Sequence, residues 1–198
     1  AIYIANYIIE HQTNITEATS DEINQLVGEA YMMRAYCHFL LANLYAEPYT
    51  GCNPATTRGI PLSMVADVNA VLSCNSLEQV YQQVIDDINN AKKYLTVDTW
   101  DEGFTYRFNK ISADALLARV YLYKGDWQNA LAEAKTVIEK HGTLEDLNTS
   151  KVLPNYYKSV ESIVALEQVM TSGYIKIGEP NKALIDTYRT GDKRKSLY

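Results

Sequence analysis

The chain has 198 residues, 47% apolar and 21% charged, and its 18 basic and 24 acidic side chains give a net charge of −6. This composition excludes a disordered chain, and the acidic balance argues against a nucleic-acid-binding protein, which needs a basic surface. No run of 18 apolar residues is present, so the sequence predicts no membrane-spanning segment.

The first half of the chain predicts two helices followed by a long loop. Residues 1–16 are apolar and rich in tyrosine, which indicates the first helix. A capping box at Thr19-Ser-Asp-Glu22 starts the second helix, which should end near Ala46. Apolar residues recur on this helix with spacings of 4, 3, 4, 3 and 4, which places one stripe on one face: Leu26, Ala30, Met33, Cys37, Leu40 and Leu44. Residues 47–75 read as a long loop punctuated by glycine and proline.

Four further helices are predicted in the rest of the chain, with irregular segments between them. A second capping box, Ser76-Leu-Glu-Gln79, starts a helix over 77–95 whose apolar residues repeat the same spacings: Leu77, Tyr81, Val84, Ile88, Ala91 and Leu95. After a loop over 96–110, Ser112 is expected to cap a helix that Gly125 ends, and Asp126 to cap one that runs to about His141. Residues 144–158 read as irregular, 162–169 as a short strand or a helix, and 180–190 as a last helix.

Residues 113–142 have the pattern of a tetratricopeptide helix pair. Small residues at Ala118 and Ala130 allow close approach of two helices, and Tyr121 and Trp127 fill the wedge between them. The sequence therefore predicts an all-α fold, mostly helical, with tetratricopeptide-like helix pairs, long loops and at most one short strand. We expect a single helical domain over 1–198, with helix pairs at 20–95 (loop insertion 47–75) and 112–142, as a fragment of a longer chain.

The sequence shows no arrangement typical of catalysis, so an enzyme is not expected, and neither a cofactor nor a metal is predicted. His38 is interpreted as part of an apolar helix, not as a metal ligand. Asp86 and Asp87 are adjacent on a helix and do not face each other, so both are interpreted as solvated. The odd number of cysteines excludes a disulfide framework but leaves one bridge open, between Cys52 and Cys74.

The loop over 96–110 is the best local candidate for a binding site. Its predicted ligand-binding residues are Trp100, Tyr106, Asp101 and Arg107. The rings would stack on the apolar faces of sugars, and the charged groups would hydrogen-bond the hydroxyls. The alternative interpretation is that Phe104 and Phe108 tuck inward as a plug over the core. In either case we expect Trp100 to stay partly exposed.

Several segments, in the order in which they occur here, resemble those of a known family. They are Gly28-Glu-Ala-Tyr-Met-Met-Arg-Ala-Tyr-Cys-His-Phe-Leu-Leu-Ala-Asn-Leu-Tyr45, Gly59-Ile-Pro-Leu62, Val80-Tyr81 with Asp86-Asp87-Ile88, Lys110-Ile-Ser-Ala-Asp-Ala-Leu-Leu-Ala-Arg-Val-Tyr-Leu-Tyr-Lys-Gly-Asp-Trp127, and Leu184-Ile-Asp-Thr-Tyr188 with Gly191-Asp192-Lys193-Arg194. The chain resembles the amino-terminal, tetratricopeptide-containing half of the SusD/RagB proteins of Gram-negative outer membranes.

This resemblance implies a non-catalytic lipoprotein at the surface of the outer membrane. Such a protein binds nutrients, typically a glycan or oligosaccharide, and acts with a TonB-dependent β-barrel transporter. It would contact the membrane only through a lipid anchor that lies outside this sequence. In this family the ligand sites are built mostly from loops, many of them in the carboxy-terminal half. The resemblance therefore assigns no binding residue in this sequence. A second hypothesis stays open: a tetratricopeptide-type adaptor that binds protein and not glycan.

Overall fold

The structure, a computed structural model, describes residues 1–149, 152, 156–166 and 181–193. These residues are mostly helical, which confirms the all-α prediction. The helices are α1 (Ile2–His11), α2 (Ser20–Tyr45), α3 (Leu77–Tyr94), α4 (Lys110–Lys124), α5 (Trp127–His141) and α6 (Lys182–Thr187), with short 3₁₀ helices at Gln12–Asn14 and Tyr49–Gly51. Two short strands are also present, β1 (Arg58–Pro61) and β2 (Cys74–Ser76).

The helices begin and end at the residues that local hydrogen bonding favours. Thr19 caps α2 by accepting from the Glu22 N–H, and the Glu22 carboxylate accepts from the Thr19 N–H at 2.8 Å. The predicted capping box before α3 also forms. The predicted cap of α4 is wrong, because Asn109 occupies that position and accepts from the Ser112 N–H at 2.8 Å. Gly125 ends α4 with a φ of 78°, a left-handed conformation that glycine adopts without strain.

The sequence left residues 162–169 open between a short strand and a helix, and the one small sheet among the described residues lies elsewhere. Residues 162–166 are neither helix nor strand, and 167–169 lie outside the described residues. Instead β1 pairs antiparallel with β2 inside the predicted loop 47–75. These strands are three and four residues long, too short to show an alternating pattern in the sequence. Their pairing closes a loop within the long connection between α2 and α3.

The core lies between α2, α3 and α4. Of the two predicted apolar stripes, the one on α3 is buried and the one on α2 is partly exposed. On α3 every residue of the stripe is buried: Leu77, Tyr81, Val84, Ile88, Ala91 and Leu95. On α2 the stripe was misplaced, since Leu40 is 42% and Leu44 73% exposed. The face that packs inward carries other residues, namely Val27, Met32, Ala35, Phe39 and Ala42. Because α2 packs against both α1 and α3, it is apolar on more than one side, and spacing alone does not identify the buried face.

A buried ion pair joins the first three helices. The interpretation of Asp87 as solvated is wrong, because its side chain is fully buried and bound by Arg34. Arg34 also donates to the side-chain oxygen of Asn6 on α1. Asn6 in turn donates to the carbonyl oxygens of Ser63 and Val65. One polar network therefore fixes α1, α2, α3 and the loop after β1 in register.

A second charged cluster holds the predicted helix pair over 113–142 in place. The buried carboxylate of Asp114 on α4 lies 2.8 Å from Lys92 of α3 and 3.0 Å from Lys140 of α5. Lys92 also reaches Glu133 of α5 at 3.1 Å. Because α4 contributes the acceptor shared by lysines of both neighbours, α3, α4 and α5 form one continuous layer.

Candidate functional site

The loop between α3 and α4 is held to α2 by one buried glutamine. The Gln25 Oε1 accepts hydrogen bonds from the N–H groups of Thr96, at 2.9 Å, and Val97, at 3.0 Å. Its Nε2 donates to the carbonyl oxygen of Phe108 at 3.0 Å. Since the two ends of the loop bind the same side chain, the aromatic residues between them have a fixed base.

Two of the predicted binding residues lie together and have partners within the protein. The indole Nε1 of Trp100 donates to the Phe108 carbonyl at 3.0 Å. The guanidinium carbon of Arg107 lies 4.1 Å from the centroid of the Trp100 ring, and Arg107 forms a 2.7 Å ion pair with Glu29. Trp100 is half-buried, as expected, but one face of its ring is covered. Both side chains therefore brace the loop against α2.

The other two predicted residues, Tyr106 and Asp101, are exposed. The carbonyl of Asp101 accepts from the Phe104 N–H at 3.0 Å, which forms a turn. The plug interpretation is confirmed for Phe108, which is 7% exposed and packs beside Tyr36 with ring centroids 6.4 Å apart. It is wrong for Phe104, which is 50% exposed. The loop thus buries one phenylalanine and presents Phe104 and Tyr106 to solvent.

A groove of about 1280 Å³ lies between one face of α4 and the segment 156–166. Its α4 wall consists of residues that share one helix face: Ser112, Ala115, Leu116 and Arg119. Tyr106 lies at the edge formed by the loop. Tyr156 and Tyr157 line the opposite side and are 45% and 42% exposed. Three exposed tyrosines therefore line the groove, and a fourth, Tyr36, lines it half-buried.

Two contacts join the loop to the far wall of this groove. The N–H of Ala165 donates to the carbonyl of Thr105 at 3.0 Å, and Lys158 forms an ion pair with Glu102. Beside these contacts, a hydrogen bond with Tyr157 raises the pKa of Tyr156. The two walls are therefore tied together next to the tyrosines.

The structure brings one predicted site residue to the groove. Tyr106 lines it, whereas Trp100, Asp101 and Arg107 do not. Sequence reasoning missed Tyr156 and Tyr157, which lie in a segment without helical or strand periodicity. The available signal was compositional, since the chain has 16 tyrosines and 3 phenylalanines, an excess typical of surfaces that are apolar and hydrogen-bonding at once.

A second exposed surface lies on α5. Trp127 is 65% exposed, so the expectation that it fills the wedge between the two helices is wrong, and Leu131 and Ile138 are 56% and 66% exposed. Their spacing places them on one face of the helix, and a smaller cleft of about 350 Å³ between α4 and α5 is lined by Trp127 and Leu131. We refer to Trp127, Leu131 and Ile138 as the α5 stripe.

Over the described residues there is no cluster of three or more histidine, cysteine, aspartate or glutamate side chains able to hold a metal ion. In the same part of the chain, no helix combines the length and apolar character needed to cross a bilayer. Cys52 and Cys74, the pair left open by the sequence, are both free thiols.

Comparison with known protein families identifies the family of this chain. The model of a SusD-like family described as starch-binding and associating with the outer membrane matches residues 1–122. The chain belongs to this SusD-like family. The matched part contains α1, α2 and α3 and most of α4, so it includes the loop, its Gln25 anchor and the α4 wall of the groove.

Individual SusD-like relatives agree with this assignment. SusD-like protein P2 of Formosa agariphila is 26% identical over 156 residues, which cover 78% of this chain and 28% of the relative. A crystal structure of a SusD superfamily protein from Bacteroides thetaiotaomicron matches with a TM-score of 0.65 at 30% identity, over 73% of this chain and 31% of the other. A laminarin-binding SusD-like protein matches with a TM-score of 0.60 at 25% identity, over 78% and 31%. The chain therefore spans less than a third of the length of these relatives.

Proposed function

We propose that this protein is a non-catalytic, surface-exposed glycan-binding protein of the outer membrane, and that it binds glycan in the groove beside α4. The observation that carries the proposal is the set of three exposed tyrosines, Tyr106, Tyr156 and Tyr157, that line one groove in a chain of a family described as starch-binding. A tyrosine ring offers an apolar face for a sugar ring and a hydroxyl for its polar edge.

The size of the groove supports an extended ligand. Its volume of about 1280 Å³ exceeds the roughly 300–1,000 Å³ typical of small-molecule pockets. A stretch of several sugar units suits such a groove better than one monosaccharide. A weak site of millimolar Kd supplies only about −4 kcal/mol, so capture of a polymer would depend on repeated contacts along it.

The family resemblance supports the remaining parts of the proposal. A lipid anchor outside this sequence would hold the protein at the outer membrane, and a TonB-dependent transporter would receive the bound glycan. Laminarin is a reasonable first ligand to test, since a laminarin-binding SusD-like protein shares the fold.

The proposal is tested by affinity electrophoresis of the natural full-length protein on a panel of polysaccharides, followed by calorimetry on those that retard it. Tyr106→Ala and Tyr156→Ala should each weaken binding severalfold, because each removes a stacking ring. Tyr3→Ala is the matched control, since Tyr3 is also 45% exposed but lies on α1 outside the groove. Unchanged affinity in both groove variants would contradict this placement of the site, and retardation by no polysaccharide would contradict glycan binding.

The α5 stripe favours a second candidate function, protein binding through the helices. An exposed apolar helix face is a common docking surface for a protein partner. Leu131→Glu should then abolish binding to a TonB-dependent transporter, without changing glycan affinity. Glu139→Gln, an exposed change on the same helix, serves as the control. Retention of the complex by Leu131→Glu would count against this surface.

A further inference from the structure

Arg119 is a free cation in the wall of the groove. It is exposed on α4, and within the described part of the chain no ion pair or hydrogen bond of its side chain is found. Two cations of the loop and the far segment are engaged elsewhere, since Arg107 pairs with Glu29 and Lys158 with Glu102. Among the described residues that line this groove, Arg119 is thus the cation that a ligand can bind.

The acidic side chain that lines the groove, Glu161, already accepts a hydrogen bond within the protein. Glu161 lines the wall opposite α4, and its Oε1 accepts a hydrogen bond from the N–H of Glu145 at 2.9 Å. Glu145 reciprocates through its own carboxylate, which accepts from the N–H of Val160 at 3.0 Å. This pairing commits Glu161 to holding its own segment, whereas the guanidinium of Arg119 keeps its donors for a ligand.

An arginine in this position suits an oxyanion. The planar guanidinium presents parallel N–H donors that match the two oxygens of a carboxylate or the oxygens of a sulfate. The tyrosines of the groove supply the stacking surfaces for the sugar rings beside such a group. The overall charge of −6 would repel a densely charged polyanion, so the favoured ligand carries its anionic groups sparsely.

We propose that the groove selects glycans bearing spaced carboxylate or sulfate groups, with Arg119 as the residue that binds the anionic group. This inference rests on the proposed glycan-binding function and adds the charge class of the ligand. Tyr106, Tyr156 and Tyr157 hold the sugar rings, and Arg119 decides between a neutral and an anionic chain. The specificity is local, because it depends on one side chain and not on a basic surface.

The test compares ligands that share one backbone. Laminarin, laminarin partly oxidised to carboxylate at C6, and sparsely sulfated laminarin are titrated into the natural full-length protein at low and high salt. We expect at least one anionic form to bind about fivefold tighter than neutral laminarin at low salt. The carboxylate and sulfate arms show which oxyanion is preferred, and high salt should reduce the preference because the contact is exposed.

Two charge-removing variants complete the design. Arg119→Gln should abolish the preference for the anionic form. Lys135→Gln, an exposed change on α5 outside the groove, should leave the preference intact. Equal binding of neutral and anionic laminarin by the unmodified protein, or a preference that survives Arg119→Gln, overturns the inference while glycan binding stands. No binding to any polysaccharide of the panel defeats the proposed function itself, and this inference with it.

Discussion

Arg34 and Asp87 face each other across α2 and α3 in a two-pronged, charge-assisted contact. The Arg34 Nε lies 2.8 Å from Asp87 Oδ2, and its Nη2 lies 2.6 Å from Oδ1. Both side chains are shielded from solvent, with 6% and 0% of their side-chain surfaces exposed. Asp87 also accepts from Gln83, and Arg34 donates to Asn6, so both charges are satisfied.

Removing one partner of this pair should destabilise the protein strongly. Asp87→Asn leaves the buried guanidinium without a counter-charge, and the free energy of unfolding should fall by about 3–5 kcal/mol. Chemical denaturation followed by circular dichroism measures the change. Asp86→Asn is the matched control on the adjacent, exposed position and should stay within about 0.5 kcal/mol. A loss below about 1 kcal/mol in Asp87→Asn would show that the buried pair matters little.

Stability should depend on pH through His38. This ring is fully buried, and in the described part of the protein neither ring nitrogen has a hydrogen-bond partner. Burial is the main cause that lowers the pKa of His38 to about 4, and Asp87 opposes it. The unfolded chain, with a pKa of about 6.5, binds the proton more tightly than the folded one. The free energy of unfolding is therefore highest above about pH 6.5, and it falls as the pH is lowered toward 4 and His38 is protonated in the unfolded chain.

This linkage predicts a loss of about 2 kcal/mol in the free energy of unfolding between pH 7 and pH 5. Urea denaturation at intervals across that range measures it. His38→Leu keeps an apolar side chain in the site and removes the titration, so its stability should be nearly flat over the same range. A slope of the same size in His38→Leu would assign the pH dependence to other groups.

The loop that carries the aromatic residues should loosen when Gln25 is replaced. Gln25→Met keeps the size of the side chain but leaves the N–H groups of Thr96 and Val97 without their acceptor, which should cost about 1–3 kcal/mol. Hydrogen exchange of those two amides should accelerate, because they lose protection. Gln82→Met makes the same change at an exposed position of α3 and should alter neither stability nor exchange. Unchanged exchange in Gln25→Met would mean that the loop is held by other contacts.

The cysteines should titrate as three thiols. All three are free in the structure, so the unfolded, unreduced protein should react with three equivalents of a thiol reagent. In the folded protein Cys37 should react most slowly, since burial raises the pKa of its thiol. One equivalent in the unfolded protein would instead indicate that Cys52 and Cys74 form a bridge.

The candidate site was only partly predictable from the sequence. The loop over 96–110 was identified by its interleaved aromatic residues, of which Phe104 and Tyr106 are exposed, and Tyr106 lines the groove. The roles of Trp100 and Arg107 were not foreseeable, because their partners Phe108 and Glu29 are reached only once the loop folds back on α2. The opposite wall, with Tyr156 and Tyr157, lies in a segment whose residues follow no period.

Local interactions explain what the sequence determined by itself. The capping box of Thr19 and Glu22, the turn at Gly125 and the buried face of α3 all depend on residues within a few positions of one another, so periodicity and residue type sufficed. The family assignment rests on the same ordered segments. These features define the helices and their order.

Only the tertiary structure decided how the helices use their side chains. Arg34 and Asp87 are 53 positions apart, and burial of the aspartate depends on the arginine that α2 places opposite it. In the same way, α2 has apolar residues on several sides, and its packing between α1 and α3 selects which of them enter the core. The groove joins α4, the loop and the 156–166 segment. Such pairings leave no local pattern in the sequence, because their free energy comes from contacts that exist only after the chain has folded.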